Sequence, residues 1–407
     1  MIKQAAIGLN SRREANPFNE DGFLPLITAP MSCVVDHTNS KIFFDNKIQV
    51  CLPRGEWDFR KENEWCAVSL EEFNTIVEWK EKDIYPKNVI EKICIDTANG
   101  NMPALHDAIR KAKEIHGDNL IIMAGNVASV EAFIELAKTG VDYIRVGIGG
   151  GGGCNTTSNT GVGQEDLEIL ISQCKYHIAT LGIQARRHEK NWQEHLEGKR
   201  KIDMSEEEYF NRDFYKIEKT VGRVKIVADG ISSYIKRCQD IYGFNDNGYA
   251  AINKLLFAGA DLVMIGKLFA QCLESAGEKR VIGDESEINS KWLKKDNNLK
   301  TYYKCHSENI EVKYSGMSTH VAQRKYKQAN ITGYDVYRSE DPMLDGIGFV
   351  TYTQDIKPSE GSVQWIPVRW TLDEWLNGNA TQDEYPYLMG WVNSIKSAMA
   401  YTGKNKL

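Results

Sequence analysis

A cysteine at the end of a run of five glycines is the most chemically pointed feature of this chain. Residues 146–164 read VGIGGGGGCNTTSNTGVGQ, with Gly149 to Gly153 followed by Cys154 and then by Thr156, Thr157 and Thr160. A thiolate is the strongest side-chain nucleophile near neutral pH. Five glycines cost folding entropy, a cost tolerated where backbone takes unusual angles or comes very close to a ligand. Glycine amides and carbonyls in such a loop can cradle a phosphate or coordinate a monovalent cation. A lone cysteine is ordinarily a small buried hydrophobe; the glycine run and the threonine cluster set Cys154 apart from the rest of the nine cysteines.

The elements that must position this loop are legible as short apolar, β-branched runs alternating with helical patterns. Eight runs stand out: PLITAPM (25–31), KIQVCLP (47–53), WCAVSL (65–70), KICIDT (92–97), LIIMAG (120–125), YIRVGI (143–148), KIVADG (225–230) and LVMIGK (262–267). Each is apolar almost throughout, as parallel strands buried on both faces are. Helical spacing follows in SLEEFNTIVEWKEK behind a Ser69 cap, in MPALHDAIRKAKEI, in SVEAFIELAKTG ending at Gly140, in EDLEILISQC and in NGYAAINKLLFAGA. Eight β-then-α units predict an α/β fold, a (β/α)8 TIM barrel spanning residues 1–407 as one catalytic domain, with an open doubly wound sheet as the competing arrangement. Cys154 then falls at the C-terminal rim, where barrel enzymes keep their catalytic groups.

Two regions interrupt the repeat. Residues 184–222 are highly charged and read as a partly helical surface insertion between the sixth and seventh units. Residues 280–360 have no strong period and read as a long flap on the catalytic face, against the plain alternative of a surface loop. The net charge of −6, with no basic block, argues against a nucleic-acid partner. No apolar run reaches the ~20 residues of a membrane span, and the N-terminal MIKQAAIGLNSRRE lacks the apolar stretch of a signal peptide. An odd number of cysteines without a CxxC pair fits a reducing, cytoplasmic setting.

GIGGGGGCNTTSNTGVG resembles the catalytic loop of the IMP dehydrogenase and GMP reductase family, where GIGPGSxCTTRxxTGVG is usual, and the spacing from Gly147 to Gly163 matches without a gap. Further segments are similar in the same order: APM (29–31), DTANG (96–100), AGNV (124–127), VADG (227–230), MIGK (264–267), YSGMST (314–319), SEG (359–361) and GWVNSIKSAMAYTG (390–403). The resemblance implies that Cys154 attacks C2 of a purine mononucleotide and forms a covalent intermediate. It implies that Thr156 positions the water or ammonia and that Glu360 handles a proton. Asp229 matches the aspartate on the ribose hydroxyls. Gly230, Gly266 and Tyr314 match phosphate contacts, and Gly316, Met317 and Ser318 lie in the base-reading segment. Asp96 and Asn126 match the nicotinamide side, for NADPH or NAD. The carbonyls of Gly149, Gly151 and Cys154 match a potassium site. Relatives usually form homotetramers. Read without the resemblance, Asp96 and Asp229 are equally serviceable as helix N-caps, Glu360 as a solvated carboxylate, and Thr156 as a turn residue bonding its own backbone.

The chain departs from the family pattern at the phosphate. Gly152 replaces the usual serine, Ile231 replaces the second glycine of DGG, and Lys267 stands where relatives have a small residue, able to supply a compensating charge. Only residues 54–64 separate the second and third strands, which leaves no room there for the tandem regulatory modules usual in dehydrogenases. That absence, Asn99, Ser318, ESAGE (274–278) and SEG point to a GMP reductase using NADPH. The alternatives are an IMP dehydrogenase forming XMP with NAD, a diverged enzyme acting on a modified purine nucleotide, a catalytically silent nucleotide-binding protein, and a flavin-dependent barrel.

Overall fold

Each of the eight apolar runs forms a strand, because a run without polar alternation can bury both faces only inside a parallel sheet covered by helices. The computed structural model describes residues 1–56, 61, 63–81, 91–154, 156–164, 166–281, 310–315, 363–378 and 390–407. The strands are β1 (Leu26–Thr28), β2 (Cys51–Leu52), β3 (Trp65–Val68), β4 (Lys92–Ile95), β5 (Ile121–Val127), β6 (Tyr143–Val146), β7 (Lys225–Ala228) and β8 (Leu262–Ile265). They form one parallel sheet in the order β1-β8-β7-β6-β5-β4-β3-β2. The sheet closes on itself where Ile27 bridges Gln49: Thr28 N donates to Gln49 O at 3.0 Å, and Gln49 N donates to Leu26 O at 3.0 Å. The (β/α)8 barrel is therefore borne out against the open sheet.

Alternate residues of each strand face the barrel axis, the others face the helices. Ile27, Cys51, Trp65, Ala67, Cys94, Met123, Val227, Leu262 and Met264 form the inner cluster. The outward set packs under the helices α1 (Ser40–Asp45), α2 (Leu70–Glu81), α3 (Pro103–His116), α4 (Val130–Ala137), α5 (Thr156–Thr160), α6 (Leu167–Leu196), α7 (Glu206–Phe210), α8 (Asp213–Val221), α9 (Ile231–Tyr242), α10 (Tyr249–Ala258) and α11 (Lys267–Ala270). Ser69 caps α2 as expected: its Oγ accepts from Glu72 N at 3.1 Å while Glu72 Oε2 accepts from Ser69 N at 2.6 Å. Two helices near the C-terminus, α12 (Leu372–Asn377) and α13 (Trp391–Tyr401), complete the set described.

The charged stretch 184–222 is more ordered than its composition suggests. α6 runs unbroken to Leu196, and α7 and α8 fold back beside it. Trp192, Tyr209 and Tyr215 are buried there, and Trp192 stacks 5.0 Å from Tyr209. Most of 280–360 lies outside the described residues. The described part is regular despite its weak period: β9 (Lys279–Val281) and β10 (Ile310–Ser315) pair antiparallel, and β11 (Val363–Pro367) adds to the other edge of β10. Ile310, Val312 and Tyr314 alternate inward, a period-2 signal too short to stand out between polar flanks. Among the described residues no helix is long and apolar enough to cross a membrane.

Candidate active site

Inward-facing positions at the C-terminal ends of β4, β6 and β7 carry Asp96, Arg145 and Asp229 above the apolar inner cluster. Arg145 is 3% exposed, and its guanidinium donates to Asp96 Oδ1 at 3.0 Å and lies 4.0 Å from Asp229 Oδ2. Arg54, just past β2, pairs with Asp96 from the other side at 3.4 Å and also donates to its backbone carbonyl. Burial pushes the Asp96 carboxyl up, and Arg145 and then Arg54 outweigh it, holding the group below the usual carboxylate range. Burial likewise opposes the charge on Arg145, but Cys94, Asp96 and Asp229 beside it raise its affinity for the proton. Neither aspartate caps a helix by its side chain: Asp229 Oδ1 accepts from Gly230 N at 2.6 Å, and Gly230 itself is the uncapped start of α9.

Asn126 joins this network to the glycine loop. Its Nδ2 donates to Asp229 Oδ2 at 2.8 Å and to Gly147 O at 2.6 Å. The loop then crosses the ends of β7 and β8. Gly150 must be glycine, since a Cβ there would lie 2.0 Å from Gly230 O; its own carbonyl accepts from Ser233 N in the first turn of α9 at 2.9 Å. At Gly152 a Cβ would meet Lys267 Cδ at 2.9 Å, so the missing side chain makes room for the lysine stem. Gly151 O accepts from Cys154 N at 3.1 Å, closing a tight turn. The Cys154 thiol donates to Thr156 Oγ1 at 3.2 Å. Cys154 is half-buried, whereas every other described cysteine is buried.

β10 and β11 lie over this loop. Tyr314 is buried; burial, followed by Cys33, Asp229 and Cys154, pushes its hydroxyl well above the usual tyrosine range, so it stays neutral. A Cβ on Gly266 would sit 3.7 Å from the same hydroxyl. The fold thus gathers Asp96, Asn126, Gly149, Gly151, Cys154, Thr156, Asp229, Gly230, Gly266, Lys267 and Tyr314 on one rim of the barrel. Glu360, Gly316, Met317 and Ser318 lie outside the described residues. Arg145, Arg54 and Gln364 were not anticipated. The one signal was the single charge inside the run YIRVGI, where a buried arginine needs partners.

A nucleophilic sulfur, a hydroxyl beside it and paired carboxylates at the mouth of a barrel suit addition to an electrophilic carbon. Residues 74–185, which span β4 to β6 and the whole glycine loop, match the family model described as IMP dehydrogenase / GMP reductase domain. The chain resembles IMP dehydrogenases and GMP reductases. It is 29% identical over 189 residues to the inosine-5'-monophosphate dehydrogenase of Chlorobaculum parvum, covering 46% of this chain and 27% of the relative. The corresponding enzyme of Bacillus subtilis is 30% identical over 192 residues, 47% of this chain and 28% of its own length. The GMP reductase of Shewanella pealeana is 43% identical over 79 residues, 19% of this chain and 22% of its own length. The match thus spans about a quarter of the length of these curated relatives.

Proposed function

We propose that this protein is an NAD(P)-dependent purine nucleotide oxidoreductase of the IMP dehydrogenase/GMP reductase family, and that it reduces GMP to IMP. The observation that carries the reading is Cys154: it is half-buried among otherwise buried cysteines, sits on the glycine loop at the catalytic rim and bonds to Thr156. In the reaction, the Cys154 sulfur adds to C2 of GMP. The C2–N bond breaks and ammonia leaves as Thr156 and Glu360 assist the proton transfer. A reduced nicotinamide held beside Asp96 and Asn126 would supply the hydride that C2 takes up. The carbon–sulfur bond then breaks, giving IMP and the free thiol. General acid–base help of this kind contributes about 10²–10⁴-fold.

Asp229 receives the ribose hydroxyls as an acceptor. Gly230, Gly266, Tyr314 and Lys267 face the phosphate, with the Lys267 charge standing in for the hydroxyl lost at Gly152. Gly316, Met317 and Ser318 read the base. The residues on the other side fit a nicotinamide nucleotide: the buried Nε atoms of Arg54 and Arg145 have no hydrogen-bond partner among the described residues, and a polar ligand group beside Asp96 and Asn126 would give them one. A potassium ion on the carbonyls of Gly149, Gly151 and Cys154 would hold the loop. The reading includes a cytoplasmic homotetramer, which light scattering of the purified chain checks.

Incubation of the purified protein with GMP and NADPH, followed by loss of reduced-cofactor absorbance, tests the reaction. The second reading, oxidation of IMP to XMP with NAD, is favoured by the longer matched stretches in the IMP dehydrogenases. Turnover of IMP and NAD without turnover of GMP would select it.

A further inference from the structure

We propose that Gln364 holds the Gly152–Gly153 peptide in one orientation and thereby positions Cys154. The role assigned to Cys154 rests on the reading of that residue as the nucleophile. Tyr314 and Gln364 are directly opposed on the antiparallel strands β10 and β11, so their side chains project from the same face of the sheet. Gln364 Nε2 donates to Gly152 O at 3.0 Å. Gln364 therefore holds this peptide plane by its carbonyl edge, beside the buried Tyr314.

This plane is the part of the loop that most needs holding. Because Gly151 O accepts from Cys154 N, residues 151–154 form a β-turn whose central peptide joins Gly152 to Gly153. Type I and type II turns differ mainly by a half rotation of that central peptide, and glycine at the third position is at home in both. With no Cβ on either side, nothing within the loop itself selects one orientation. A rotated peptide would aim the carbonyl where the amide now points, and Cys154 is the next residue along the chain. Gln364 supplies the selection from outside the loop. It acts on Cys154 through the backbone, as a positioning residue.

The test is Gln364→Met and Gln364→Glu, with two readouts on the full chain: steady-state kinetics and the rate at which iodoacetamide alkylates Cys154, followed by mass spectrometry. Gln364→Glu keeps the shape of the side chain and loses the donor. Each variant is expected to lower kcat by about two- to tenfold, the scale of one hydrogen bond, with KM nearly unchanged. Alkylation of Cys154 is expected to speed up by a similar factor as the loop loosens. Unchanged kcat and unchanged alkylation in both Gln364 variants would overturn the positioning role, whatever the activity of a Cys154→Ser variant. Full turnover by Cys154→Ser would instead remove the nucleophile reading, while faster alkylation in the Gln364 variants would still support the positioning role.

Discussion

Tyr143 and Arg145 sit two residues apart on β6 and project into the same barrel, yet they meet opposite surroundings. Tyr143 packs edge-on against Trp65 at 5.1 Å, the Trp65 indole donates to Gln49 Oε1 at 3.1 Å, and the one cation against Tyr143 among the described residues, Lys225, is exposed and donates to its hydroxyl at 3.2 Å. Arg145, about 7 Å further along the strand, meets Asp96 and Asp229. A buried ion network is a weak source of stability, since desolvation consumes most of the Coulombic gain. Rings packed in a closed barrel are a strong one. The difference points to a division of labour along one strand: the floor holds the cylinder together, and on the proposed function the rim carries charges retained for what they bind.

The sharpest way to break this division is to exchange sulfurs. Cys154→Ser is expected to lower kcat by roughly 10³-fold or more, as removal of a nucleophile does, with the melting temperature nearly unchanged. Cys94→Ala, at a buried inward position below the rim, is expected to do the reverse, lowering stability by about 1–2 kcal/mol and leaving kcat within about twofold. Thermal melts beside the GMP–NADPH assay check both. Equal loss of activity in the two variants would erase the distinction.

Arg145→Met comes next. It leaves Asp96 with Arg54 alone and Asp229 without its buried cation. Breaking a buried pair by removing one partner costs about 3–5 kcal/mol. The variant should lose that much in urea unfolding and, on the proposed function, also raise KM for both substrates, because the two carboxylates it orients would face the two ligands. A floor substitution separates these effects: Trp65→Phe removes the bond to Gln49 and part of a ring, costs about 1–3 kcal/mol, and should leave both KM values alone.

The same contrast explains what could be read from the residues and what could not. All eight barrel strands were legible, because an apolar run bounded by turns can only be buried. Which residues of a run face inward was not, since a strand buried on both faces shows no polar alternation; Arg145 therefore looked like an irregularity in YIRVGI rather than the centre of a network. The Cys154 loop was legible through its glycines. Asn126 and Asp229, 103 positions apart in the chain, were each marked by a short motif, but the bond between them was not. Nothing in SVQWIPV marks Gln364, whose role depends on the strand opposite. In 184–222 the charge content concealed the buried Trp192, Tyr209 and Tyr215, because the solvent-facing residues outnumber the few that pack.

The smallest expected effect is one of pH, and it tests whether the rim charges are coupled as the geometry indicates. Arg145 and Arg54 hold the Asp96 carboxyl below its ordinary value of about 4 against the opposing pull of burial. A carboxyl that binds its proton less readily in the folded chain than in the unfolded one adds stability above the unfolded value, and that increment fades as pH falls through the folded value. In Arg145→Met the main attraction is gone while burial remains, so Asp96 should bind its proton more readily. The stability gap between the parent chain and this variant should therefore be widest near neutrality and narrow below about pH 4. Urea unfolding of the two proteins between pH 7 and pH 3 measures it. A gap independent of pH would mean that Arg145 acts at the rim by packing alone, and the contrast with Tyr143 on the same strand would then be one of shape rather than charge.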